Sequence, residues 1–109
     1  MAITVNGKDM NDAIIKTEQF EMRILELVPE YLKLSVKEIS NHPFNFVPKF
    51  ITLRYPEGPL NAKDEGILAV HARETVEAVV HFESRIRIEK FIRFDLVYAK
   101  QKLAAIAIE

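Results

Sequence analysis

From Ile67 to Glu109 the chain has no glycine, proline or asparagine. All five prolines, at 29, 43, 48, 56 and 59, precede that stretch, as do Gly7, Gly58 and Gly66. Glycine and asparagine supply the positive-φ corners of tight turns, and proline pre-sets their first dihedral. A sheet built from the last two-fifths of the chain therefore has to turn at bends or bulges.

The strand signal in that stretch is a period of two. Val76, Ala78, Val80 and Phe82 alternate with Thr75, Glu77, His81 and Glu83. Ile86, Ile88, Ile92, Phe94, Leu96 and Tyr98 then alternate with Arg85, Arg87, Glu89, Arg93 and Asp95. Alternation and β-branched side chains both favour half-buried strands. Ser84 to Ala99 as one strand would span about 50 Å, too long for a domain whose radius of gyration should be about 13 Å. It must bend sharply, break at Glu89-Lys90, or reach into another subunit. Residues 91–99 are apolar on both parities, with Phe91, Val97 and Ala99 opposing Ile92, Phe94, Leu96 and Tyr98. Strands apolar on both faces are covered on both, and a second copy of the chain is a simple cover.

The first half reads differently. Ile3-Thr4-Val5 followed by Asn6-Gly7 is a short strand and a turn. Met10, Ala13, Ile14, Thr17, Phe20, Ile24, Leu27 and Val28 recur at three- and four-residue spacing, which predicts an amphipathic helix ended or kinked by Pro29. Pro29 also suits the first turn of a second helix through Ser40, although Leu32, Leu34 and Val36 equally fit a strand. Asn41-His42-Pro43 is a break, Phe46 to Tyr55 a strand, and 55–66 a loop. The expectation is an α+β fold in one domain, residues 1–109. An N-terminal amphipathic helix, or two, packs on a curved antiparallel sheet formed mainly by residues 46–108.

Composition narrows the chemistry. With no cysteine, disulfides, thiolate metal sites and cysteine nucleophiles are excluded. A net charge of -1 over 109 residues gives no global pull toward nucleic acid or anionic lipid. The start lacks a signal-peptide pattern and no apolar run reaches about 18 residues, so a cytoplasmic protein with no membrane association is expected. Nucleophile-elbow, phosphate-loop and dinucleotide patterns are missing, and no cofactor or metal is implied.

The candidate binding residues are Arg85, Arg87, Phe91 and Arg93. On one strand they would interleave basic groups with an aromatic, the arrangement by which sheets hold single-stranded nucleic acid. Residues 85–102 carry four excess positive charges and residues 56–83 four excess negative ones, so neighbouring strands would neutralise the arginines. Tyr55 and Leu60 mark the proline-stiffened loop as a second candidate surface. Lys90, Asp95 and His81 are candidate polar groups for a pocket between helix and sheet, with His81 facing Glu77 or Glu83; a buried lysine would have a lowered pKa. No catalytic constellation emerges. The sequence points to a non-enzymatic, homo-oligomeric binding or assembly module acting through protein–protein contacts with itself and a further protein, such as an inhibitor, adaptor or chaperone of phage or bacterial type. A small-molecule pocket and single-strand nucleic-acid binding through 85–93 are the alternatives.

Overall fold

The computed structural model describes residues 2–109. The described chain is nearly all β, and its one helical turn is a 3-10 turn at Pro48–Phe50. Neither predicted helix exists, so the α+β expectation is corrected to an antiparallel β sandwich. The strands are β1 (Ile3–Val5), β2 (Lys8–Asp9), β3 (Ile15–Lys16), β4 (Phe20–Val28), β5 (Tyr31–Glu38), β6 (Phe44–Phe46), β7 (Ile51–Tyr55), β8 (Gly58–Asn61), β9 (Leu68–Val70), β10 (Thr75–Val80), β11 (Arg93–Tyr98) and β12 (Gln101–Ile108). A six-stranded sheet runs β2-β1-β12-β11-β7-β8, a four-stranded sheet β10-β5-β4-β3, and β6 pairs with β9 at the rim. The thinnest dimension is 20 Å, which fits two sheets packed about 10 Å apart. Among the described residues no helix is long and apolar enough to cross a membrane.

The misread helix has a local cause. Phe20, Met22 and Ile24 point inward at strand spacing, and then the register shifts between Ile24 and Glu26. Leu25 is the extra residue and lies exposed, so the next inward side chain is Leu27. A bulge that re-phases a strand in this way turns spacings of two into a set, 20, 24, 27, that imitates a helical stripe. Pro29-Glu30 is a two-residue hairpin loop between Val28 and Tyr31, with proline at the turn position its fixed φ suits. In β5, Leu32, Leu34 and Val36 are all fully buried and sit across from β4.

The glycine-free end turns by a different device. β11 and β12 join through Ala99-Lys100, both at positive φ (49° and 69°), a mirror-image turn normally left to Asn-Gly. The Ala99 N–H donates to Phe50 O at 3.1 Å, which ties that corner to the 3-10 turn. The predicted strand 84–99 breaks where Ile92 N donates to Glu89 O (3.1 Å), with Phe91 at φ 72°. Residues 82–92 form the crossover between the two large sheets; Ile86, 2% exposed, is buried along it and its N–H reaches Pro29 O.

The apolar surplus on 91–99 is covered within the chain on one parity, where Phe94, Leu96 and Tyr98 face the core. Phe91 lies at a corner, 78% exposed, and Ala99 in a turn; Val97 shares the outer face with Arg93 and Asp95 and lines a hollow there with Phe50, Thr52 and Pro59. Phe20 from the four-stranded sheet, Phe44 and Phe46 from the rim pair, and Tyr98 from the six-stranded sheet meet in one cluster. Phe46 stacks on Tyr98 at 4.9 Å and Phe20 meets Tyr98 edge-on at 6.0 Å. Burial raises the Tyr98 pKa, and its hydroxyl accepts from Val47 N at 3.0 Å.

Candidate functional site

Strand edges carry backbone groups that want partners, so each edge shows how the fold disposes of them. β2 and β3 are two residues long, and each includes a lysine, Lys8 or Lys16. β8 contains Gly58 and Pro59, and proline has no N–H to offer. β10 is six residues, Thr-Val-Glu-Ala-Val-Val, with no lysine, glycine or proline and one charge, Glu77.

The hydrogen-bond parity of β10 follows from its ends. Glu38 N donates to Glu74 O at 3.0 Å, so 74, 76, 78 and 80 bond toward β5 and 75, 77 and 79 face away. On the outward side, Lys63 N donates to His81 O at 2.9 Å, Glu83 N donates to Asn61 O at 3.0 Å, and Ala62 bridges Phe82. Residues 61–63 thus pair with 81–83 through one antiparallel bridge and its two flanking hydrogen bonds. The chain then departs from β10. Asp64 uses its carboxylate to accept from the His81 N–H at 2.6 Å, and Gly66 at φ 107° swings the backbone toward β9. Below that point the edge is vacated: among the described residues no backbone hydrogen bond joins Thr75, Glu77 or Val79 to any strand beyond β5.

A cleft of 340 Å³ opens beside the vacated edge. One wall is Glu77, Ala78 and Val79; the other is Asp64 to Leu68, with Pro48 between. Ile67 is 62% exposed and Val79 44%. The lining holds three carboxylates, Asp64, Glu65 and Glu77, and no lysine or arginine. Lys33 reaches Glu77 at 3.5 Å and Lys49 reaches Glu65 at 3.7 Å from outside, through exposed pairs that hold little energy.

A buried staple fixes where β10 begins. The Glu38 carboxylate, at the end of β5, is fully buried. It accepts from Ser40 N and Oγ (2.5 and 2.6 Å), Asn41 N (3.0 Å), His42 N (3.2 Å) and Arg73 N (3.0 Å). Burial pushes its pKa up, but these donors together outweigh that and hold it at about 2. Asn41 and Arg73, both at positive φ, aim their amides into this nest.

Four of the residues expected to bind do come together. Tyr55, Leu60, Arg85 and Arg87 line one hollow of 250 Å³ with Glu57 and Ser84. One of its two arginines is occupied, however: Arg87 meets Glu57 at 2.5 Å and Glu89 at 3.7 Å. The 7%-exposed Tyr55 is an anchor, exchanging hydrogen bonds with the Arg87 backbone at 3.2 and 3.3 Å. Phe91 and Arg93 lie elsewhere. Residues 85–91 are not a strand, so Arg85, Arg87, Phe91 and Arg93 do not share the basic strand face proposed for nucleic acid.

The three expected pocket residues lie apart, Asp95 and His81 lining different hollows. With no helix there is no cavity between helix and sheet. Lys90 is exposed, its ammonium 5.4 Å from the Phe91 ring. Asp95 pairs with Lys102 at 3.5 Å on the outer face of the six-stranded sheet, where a shallow 610 Å³ hollow also takes in Arg54 and Arg93. His81 faces Asp64, its Nδ1 at 3.1 Å, and neither Glu77 nor Glu83. Among the described residues no three histidine or carboxylate side chains converge on a metal position.

Sequence reasoning found β10 as a strand but missed its free edge, because edge status is decided by which distant segment pairs with it. The legible signal was the unbroken Thr-Val-Glu-Ala-Val-Val run beside an acidic, glycine-ended loop. No family model, curated protein or solved structure matches this chain.

Proposed function

We propose that the chain is a non-enzymatic protein-binding module that accepts an extended segment of another polypeptide at the free edge of β10. The single observation that carries this reading is that β10 offers three consecutive outward residues, 75, 77 and 79, with unpaired backbone groups beside a cleft, while the terminal strands at the other edges, β2, β3 and β8, are short or contain proline. Strand addition uses such an edge for affinity and the neighbouring side-chain pockets for selectivity. The cleft between β10 and Asp64–Leu68 supplies those pockets.

A second copy of β10 fits this edge poorly. Two-fold pairing centred on Glu77 sets that carboxylate opposite itself, and like charges directly opposed destabilise a sheet. Centring the pair on Ala78 brings Thr75 against His81 of the second copy, whose edge Lys63 already fills.

The test is amide exchange followed residue by residue as an acetylated Thr-Val-Lys-Val-Thr amide is added. Protection should rise at 75, 77 and 79, and the same peptide N-methylated at alternate amides should give none. Protection by both peptides, or by neither, contradicts strand addition.

A further inference from the structure

Resting on the strand-addition reading, the geometry assigns the partner's chemistry: we infer that the β10 edge selects an antiparallel segment with a lysine or arginine opposite Glu77, flanked on both sides by apolar residues.

The direction comes from continuity. Residues 61–63 run antiparallel to 81–83 and leave the edge at Asp64. An incoming strand that takes up the line they abandon continues a sheet that is antiparallel throughout. The pattern comes from strand geometry, in which directly opposed residues share a face and alternate residues take opposite faces. Partner residues opposite Thr75, Glu77 and Val79 stand on the solvent face. Those opposite Val76 and Ala78 stand on the other face, where Ala78, Pro48, Ile67 and Leu68 line the cleft. The inward pair must be apolar to cover the exposed Ile67. The central outward residue meets Glu77, with Asp64 and Glu65 on the far wall; the lining has no lysine or arginine, and its one histidine, His81, is held by Asp64. Glu77 remains available, since its side chain is 61% exposed in its pair with Lys33.

The experiment compares two acetylated pentapeptide amides, Thr-Val-Lys-Val-Thr and Thr-Val-Glu-Val-Thr, titrated into the full chain by chemical-shift perturbation. The lysine peptide should bind at least about threefold tighter at low salt, with the gap closing at about 1 M salt. Glu77→Lys should reverse the order and Glu77→Gln should shrink the gap, both at a surface position that leaves folding intact. Equal binding of the two peptides, with protection at 75, 77 and 79, would overturn the charge rule and leave strand addition standing. Binding of neither would overturn strand addition itself. A concentration-dependent dimer protecting the same amides would show that the occupant is a second copy and overturn the partner assignment.

Discussion

The four-stranded sheet ends in two very different edges. β3 pairs with β4 for only two residues, one of them Lys16, which reaches Glu21 at 3.9 Å. β10 pairs with β5 over six residues and turns every second backbone group toward a cleft. Natural sheets protect their edges with brevity, charge or proline. The two sides differ in what lies beside them: β3 covers only Glu21 and Met22 of β4, whereas the edge of β10 opens on a cleft. The open edge is also the one held most firmly at its start, because the buried Glu38 carboxylate gathers Arg73 N with the 40–42 amides. Pre-ordering that edge lowers the entropy a partner must remove on binding.

The largest expected effect tests that staple. Glu38→Ala leaves several buried N–H groups without an acceptor, and unmade buried hydrogen bonds are costly. Thermal unfolding followed by circular dichroism should show the Tm falling by more than about 10 °C. A fall comparable to that of an exposed substitution would show that β10 is ordered by other means.

The same group sets an acid limit. Its folded pKa is lowered from 4.5 to about 2, so the ionised carboxylate contributes its full stabilisation above about pH 4.5. That contribution is lost as pH falls through about 2, because the unfolded chain takes up the proton first. Denaturant midpoints measured from pH 5 to pH 2 should drop for the wild type, and Glu38→Gln should lack that share of the slope. Parallel curves for the two proteins would contradict the assignment.

Proline scanning separates the two sides of β10. Residue 78 faces β5, so Ala78→Pro breaks the internal ladder and should cost about 2–3 kcal/mol. Residue 77 faces outward, so Glu77→Pro removes only the free N–H and should cost under about 1 kcal/mol while abolishing peptide protection. Equal costs would mean that the outward N–H is already engaged.

The smallest effect is a control far from the cleft. Replacing Ala99-Lys100 by Asn-Gly relieves two positive-φ corners and should stabilise the fold by about 1 kcal/mol. Peptide affinity at β10 should stay unchanged. A change in affinity would couple the two ends of the sandwich, contrary to a local edge site.

That turn also shows what the sequence conceals. The β11–β12 hairpin is made with Ala-Lys, so a search for turn residues passes over it, and strand 84–99 reads as too long. The first strand Ile3–Val5 with its Asn6-Gly7 turn is legible, because both turn residues are at positive φ and of the types that favour it. The β4–β5 hairpin is concealed by a single bulged residue, Leu25, which changes the apparent period over the whole segment. The site was half legible for a related reason. Residue order identifies Thr75–Val80 as a strand, and it places acids in 64–77. Only the long-range pairing of 61–63 with 81–83 reveals where the edge is covered and where it is left open. Arg85 and Arg87 drew attention by composition, yet Tyr55 and Glu57 bind Arg87 into the crossover, which local sequence does not show.

The most direct test of the central claim is amide hydrogen exchange of the free chain at dilution, read along β10. The account predicts alternation: 76, 78 and 80 protected by β5, and 75, 77 and 79 exchanging rapidly. Uniform protection across all six would show the edge already covered and would contradict the claim that it waits for a partner strand.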